Sequence, residues 1–282
     1  MIIDFHTHTF PNKIAEKAVQ KLSDACHTVP FTNGTAAELT ASMKDAGIAM
    51  SVVLPVATNP EKVSAINDVS AELNGKDGLL HFGCMHPTCP DWHRELGRIA
   101  ALGLKGIKLH PVYQDVDFDD IRYLRILDRA AELGLIVVTH SGEDIGFPGV
   151  VRCSPQMVAN ALKQVGDVTL VLAHMGGWRN WQEAEALLSG SCVYIDTSFS
   201  LGTLTPTSPD YYTERQLRLL DESEFVRIVR SFGSEKVLFG TDSPWTMQKS
   251  SAEAFTALPL TEKEKQEILY GNAARLLKLS RQ

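Results

Sequence analysis

The chain has 282 residues, 44% of them hydrophobic and 22% charged, with a formal net charge of −7 and five cysteines. This is the composition of an ordinary globular chain with a full core, and its evenly scattered charge, without a basic block, argues against nucleic acid as a partner. No apolar run approaches the roughly 18 residues of a membrane span, the opening residues lack the regions of a signal peptide, and the dispersed cysteines form no C-x-x-C pair, so a cytoplasmic chain without a disulfide framework is expected.

In chain order, β-branched and apolar runs bounded by turn residues predict strands at 2–6, 51–56, 79–85, 106–110, 136–140, 169–174, 193–197 and 237–241. Helical periodicity predicts helices at 37–46, 60–73, 91–101, 121–133, 155–165, 180–188 and 220–232. Asp91 and Ser154, the latter before Pro155, are expected N-caps, and Gly47, Gly103, Gly134 and Gly166 are expected to end helices in the left-handed conformation. The irregular stretch 201–210 reads as an active-site loop. No linker or composition break divides 1–282, so a single domain is expected.

About eight alternations of strand and helix fit either a closed (β/α)8 TIM barrel or an open doubly wound sheet. The first strand runs into His6-Thr7-His8-Thr9-Phe10-Pro11 with no glycine-rich phosphate loop, and polar residues end most strands. Both features favour the barrel. Its strand ends carry His6 and His8, His86, His110, His140, His174 and Asp242 in order. Crowding several imidazoles and a carboxylate at one mouth without a cation would cost stability. Residues i and i+2 of a strand share a face, so His6 and His8 can reach one ion, with His140 from across the barrel and Asp242 from the neighbouring strand. Three imidazoles and one carboxylate suit one divalent cation, Zn²⁺ first, with Mn²⁺ and Fe²⁺ as alternatives.

The segments Asp4-Phe5-His6-Thr7-His8, Gly106-Ile107-Lys108-Leu109-His110-Pro111, Thr139-His140-Ser141-Gly142, Ala173-His174-Met175-Gly176-Gly177 and Gly240-Thr241-Asp242-Ser243-Pro244, with the late Gly271-Asn272-Ala273-Ala274-Arg275, together resemble the amidohydrolase superfamily in its amidohydrolase-2 branch. That branch contains hydrolases and decarboxylases. The resemblance implies His6, His8, His140 and Asp242 as ligands of a single metal, His174 and Asp242 as catalytic groups, and His110 in contact with substrate or ligands. It also implies a homodimer. Asn272 reads as the cap of the closing helix.

Lys108 shares a face with His110 and matches the position of a metal-bridging carbamylated lysine in binuclear relatives, but its surroundings resemble the mononuclear branch, which makes it an ion-pairing residue. Arg152, Trp178 and Trp245 are candidate substrate contacts: an arginine fork for a carboxylate, and aromatic walls. The leading expectation is a metal-dependent hydrolase of a small amide, ester or lactone. The alternatives are a non-oxidative decarboxylase of a carboxylated aromatic or muconate-like compound, and a metal-binding barrel without catalysis.

Overall fold

The computed structural model describes residues 1–279. Its strands are β1 (Ile3–Thr7), β2 (Met50–Val53), β3 (Leu79–His81), β4 (Gly83–Cys84), β5 (Gly106–Leu109), β6 (Ile136–Thr139), β7 (Leu170–Leu172), β8 (Tyr194–Asp196) and β9 (Val237–Leu238). Every pairing is parallel and follows chain order, with helices between. This is the (β/α)8 TIM barrel expected from the strand ends.

The third barrel strand is broken at Phe82: β3 pairs with β2, and β4 with β5. Phe82 continues the line, donating its N–H to the Val53 carbonyl at 3.0 Å. At the break a side chain supplies the missing strand partners. Asn67, fully buried on the helix Val63–Leu73, accepts the Cys84 N–H at 2.8 Å and donates to the Cys84 carbonyl at 3.2 Å and to Glu95 at 2.7 Å. Backbone bonds from Phe5 to Phe239 (2.7 Å) and from Asp242 to His6 (2.8 Å) join the first and last strands.

Alternation along the strands divides the core into two layers. Phe5, Val52, Val138, Val171 and Leu238 pack with Phe82 in one cluster. Ile107, Val137, Leu170, Leu172 and Ile195 pack with helix residues such as Ile99, Ile126, Val158 and Ile228 in the other. The buried Lys108 lies between Ile107 and Leu109, so it points away from the helix layer.

Ser154 caps its helix through the Met157 N–H, and Gly47, Gly103 and Gly134 take positive φ as expected. Three expected caps differ. Asp91 stands at its N-cap but turns its carboxylate to Arg94 at 2.7 Å, Gly166 has no left-handed backbone, and its N–H is bound by Asp128. Asn272 is the first residue of the helix Asn272–Leu276, where it clamps the carbonyls of Ser234 and Val237. The helices Ala15–Cys26 and Gln248–Ala257 are additional to the expected set. Among the described residues no helix is long and apolar enough to cross a membrane.

Two predictions follow from this core. Asn67→Ala leaves the Cys84 N–H and carbonyl and the buried Glu95 short of partners, and is expected to cost about 2–4 kcal/mol in urea unfolding, with the m-value unchanged. His81 is buried with Nε2 unpartnered, and burial pushes its pKa down to about 4. The unfolded chain therefore binds the proton more readily: the stability due to the neutral ring is complete above pH 6.5 and is lost as pH falls towards 4, by about 3 kcal/mol. His81→Leu is expected to flatten the pH dependence of unfolding in that window.

Candidate metal centre and active-site cavity

The strand ends converge on the floor of a cavity of about 440 Å³ that includes His6, His8, Lys108, His110, His140, His174 and Asp242. On one side of the floor, His6 Nε2 and His8 Nε2 lie 3.2 Å apart, with Asp242 Oδ1 at 3.4 and 3.1 Å from them. The outer nitrogens settle the tautomers. His6 Nδ1 faces Asp196 Oδ2 at 2.7 Å and His8 Nδ1 faces the Leu54 carbonyl at 2.7 Å; both partners only accept, so each Nδ1 carries the hydrogen. Two nitrogen lone pairs and a carboxylate oxygen therefore point at one another. A donor set of this kind repels itself unless a cation lies among its members, and it fits a divalent metal.

Across the floor, His140 Nε2 donates to the Glu143 carbonyl at 3.0 Å and His174 Nδ1 to the Ser198 carbonyl at 3.1 Å. Their remaining nitrogens, 3.1 Å apart, again present lone pairs to each other. Of the expected ligands, His6, His8 and Asp242 are gathered within reach of one ion, whereas His140 groups with His110 and Asp144. The His110 ring is stacked between Tyr113 (centroids 3.9 Å apart) and His140 (4.4 Å). Burial lowers the pKa of His6, His110 and His174 far below the usual histidine value, and that of His140 to about 3, with the Lys108 charge adding to the effect. Neutral imidazole is the form that binds metal.

Lys108 is buried, with Nζ 3.2 Å from His6 Nε2. Burial pulls its pKa down to about 8 against the raising effect of Asp196 and Asp242. The expectation of an ion-pairing lysine is corrected: among the described residues it has no carboxylate within salt-bridge distance, because the nearby acids are engaged with histidines.

Asp196, at the end of β8, is the principal residue the sequence reading left without a role. Besides orienting His6, it accepts the N–H groups of His174 (3.0 Å) and Ser198 (3.1 Å). Its position at a strand end on the barrel mouth was the available signal. Asp144 is similar: buried beside His110 and His140, its carboxyl is pushed up to about 6 by burial. It is carried there by Gly142, whose φ of +85° lets the chain lie against Trp178; a Cβ at Gly142 would sit 2.3 Å from the Trp178 nitrogen.

Trp178 and Trp245 line the cavity, with the Trp178 indole nitrogen donating to the Phe199 carbonyl at 3.1 Å. Arg152 does not line it. Its guanidinium is held by Asp117 (2.9 Å) and Asp115 (2.6 Å), so its charge is already matched on the flank. The 201–210 loop joins the segment after β1 through Val29–Thr205 and Thr207–His27 backbone bonds, and its Leu201, Thr203, Leu204 and Thr205 line a neighbouring cavity of about 220 Å³.

Neutral imidazoles and a carboxylate at the C-terminal mouth of a (β/α)8 barrel define a metal-dependent barrel enzyme. The chain belongs to the amidohydrolase family, whose model matches residues 3–279. No curated protein sequence matches it. Among solved structures it is similar to a TIM-barrel protein of Bordetella bronchiseptica (20% identity, 98% of each chain covered, TM-score 0.74). It is also similar to 5-carboxyvanillate decarboxylase from Sphingomonas paucimobilis (14%, 99% of each chain, TM-score 0.69). A third is a dihydroxybenzoic acid decarboxylase from Polaromonas sp. JS666 with bound manganese and 2-nitroresorcinol (14%, 100% of this chain and 98% of that one, TM-score 0.68).

Asp196→Asn keeps the shape but removes the carboxylate that fixes His6. It is expected to weaken zinc or manganese binding by about 10–100-fold in a chelator competition assay, with little change in circular dichroism.

Proposed function

We propose that the protein is a metal-dependent decarboxylase of a carboxylate attached to an aromatic or cyclic, otherwise uncharged body. The observation that carries this reading is the division of the cavity. Most of its polar groups gather at the floor and the adjoining Glu143–Asp144 turn, and its walls are Phe10, Leu54, Tyr113, Trp178, Phe199 and Trp245. The likeness to barrels named as decarboxylases supports it.

His6, His8 and Asp242 would hold the cation, with His140 as the expected fourth ligand; zinc is the proposed ion and manganese or iron(II) the alternatives. When bound, the cation supplies Lewis acidity that draws a carboxylate to the floor and polarises it. Lys108 adds a second positive charge there. The aromatic walls stack on the body of the substrate and exclude water from it. As the C–C bond breaks and CO2 departs, its electron pair stays on the substrate carbon, which must take up one proton. Asp242, at the border of floor and cavity, is the proposed carrier of that proton. His174 has Nδ1 committed to Ser198 and offers Nε2 to accept the hydrogen of a substrate hydroxyl.

One observation favours hydrolysis as a second reading: no arginine is among the described residues lining the cavity, so a neutral ester, lactone or amide loses no fork by binding there. The buried thiols and the absence of disulfides among the described residues support a reducing, cytoplasmic setting.

The test incubates the zinc- or manganese-loaded enzyme with hydroxylated benzoates in ¹⁸O-water. Release of CO2 without ¹⁸O in the product is expected, and Asp242→Asn should lower kcat by about 10²-fold or more. Uptake of ¹⁸O by ester or lactone substrates, with no CO2, would replace this reading by hydrolysis.

A further inference from the structure

The cavity is larger than a one-ring acid requires. A pocket of about 150 Å³ accommodates benzene, whereas this one is about 440 Å³ and continues outward from the floor past Leu54, Pro55 and Val56 to the helix Ala15–Cys26. That helix has two apolar sides. Ala15, Val19 and Cys26 are buried, while the N-cap residue Ile14 and Ala18, Leu22 and Ala25, spaced by four, four and three residues, form a second stripe that lines the cavity together with Cys26 and Ile66. Ile14 and Ala25 are exposed and Ala18 and Leu22 half-buried. The helix's charged residues, Glu16, Lys17, Lys21 and Asp24, are all exposed, and none lines the cavity.

We propose that this outer half is a channel for an extended apolar tail, so that the preferred substrate is a carboxyl compound bearing an alkyl or arylalkyl chain. The proposal rests on the head-group reading given above. Three observations carry it: the continuity of the channel with the floor, the volume left over beyond one ring, and an apolar helical stripe aligned along that volume. An alkyl tail laid along Ala18, Leu22 and Ile66 would remove apolar surface from water, a gain that a polar chain of the same length would not make.

The test is calorimetric binding to the zinc-loaded protein, comparing benzoate with para-butylbenzoate, and benzyl alcohol with para-butylbenzyl alcohol as the pair without a carboxylate. Each buried methylene is expected to tighten binding about fourfold, so the butyl chain adds about two orders of magnitude in both pairs. Leu22→Lys and, independently, Ala18→Trp should abolish that increment, with bound zinc measured to show that each variant is folded. An increment in the alcohols alone overturns the carboxylate head group and leaves the channel standing. Equal binding within both pairs, or an increment that survives both substitutions, overturns the channel. So does a wild-type dimer in sedimentation that Leu22→Lys dissociates without any chain-length effect, since the stripe would then be covered by a second copy.

Discussion

The site is governed by one electrostatic constraint: four imidazoles, three buried and that of His8 half-buried, give their hydrogens outward and present their lone pairs inward. Asp196, the Leu54 carbonyl, the Glu143 carbonyl and the Ser198 carbonyl take the hydrogens of His6, His8, His140 and His174. Burial holds His6, His140 and His174 neutral. Facing lone pairs at 3.1–3.2 Å are tolerable only if positive charge lies close by. One lysine ammonium, 3.2 Å from His6, cannot face all of them. The outer partners thus act as part of the metal site, since they fix which nitrogen each ring offers.

The backbone pays for this arrangement. His174 and Asp242 adopt φ of 60° and 66°, in the left-handed region that costs a non-glycine residue about 1–3 kcal/mol. Each is pinned from several directions. The His174 N–H goes to Asp196 and its carbonyl receives the Trp181 indole. The Asp242 N–H goes to the His6 carbonyl and its own carbonyl receives the Trp245 N–H. The bond from Asp242 to His6 also joins the last strand to the first, so closing the barrel and bringing a carboxylate to two imidazoles are the same structural event.

The sequence showed those features whose cause is local. Strands bounded by turns, helices with a 3.6-residue period and polar residues at strand ends were legible because each is a short-range pattern. So was the helix Ala15–Cys26, whose apolar positions carry the helical period but which the sequence reading did not assign. What escaped depends on distant partners. Arg152 reads equally as a substrate fork or a flank ion pair until Asp115 and Asp117 are seen beside it. Asp196 and Asn67 act through residues outside their own segments, His6 and Cys84 respectively; the strand-end position of Asp196 marks it as a mouth residue but not as the partner of His6, and nothing local marks Asn67. The split of His140 from His6, His8 and Asp242 lies equally beyond a strand-end count, which fixes the strand a ligand comes from and not the direction its ring faces.

The same division between floor and wall says where selectivity resides. An apolar wall distinguishes substrates that differ by a methylene by only about 1 kcal/mol, because desolvation has no direction. The floor is stricter, since a head group that cannot compensate converging lone pairs leaves buried acceptors facing one another. With no arginine among the described lining residues, the proposed reading leaves the groups that would recognise the head as the same ones that would act on it. Substitutions at Trp178, Phe199 or Leu22 would then reshape which bodies are accepted and leave the reaction unchanged. On the proposed reading, substitutions at Asp196, His174 or Asp242 would alter affinity and chemistry together, because the atoms that would bind the reacting group are also those that would act on it.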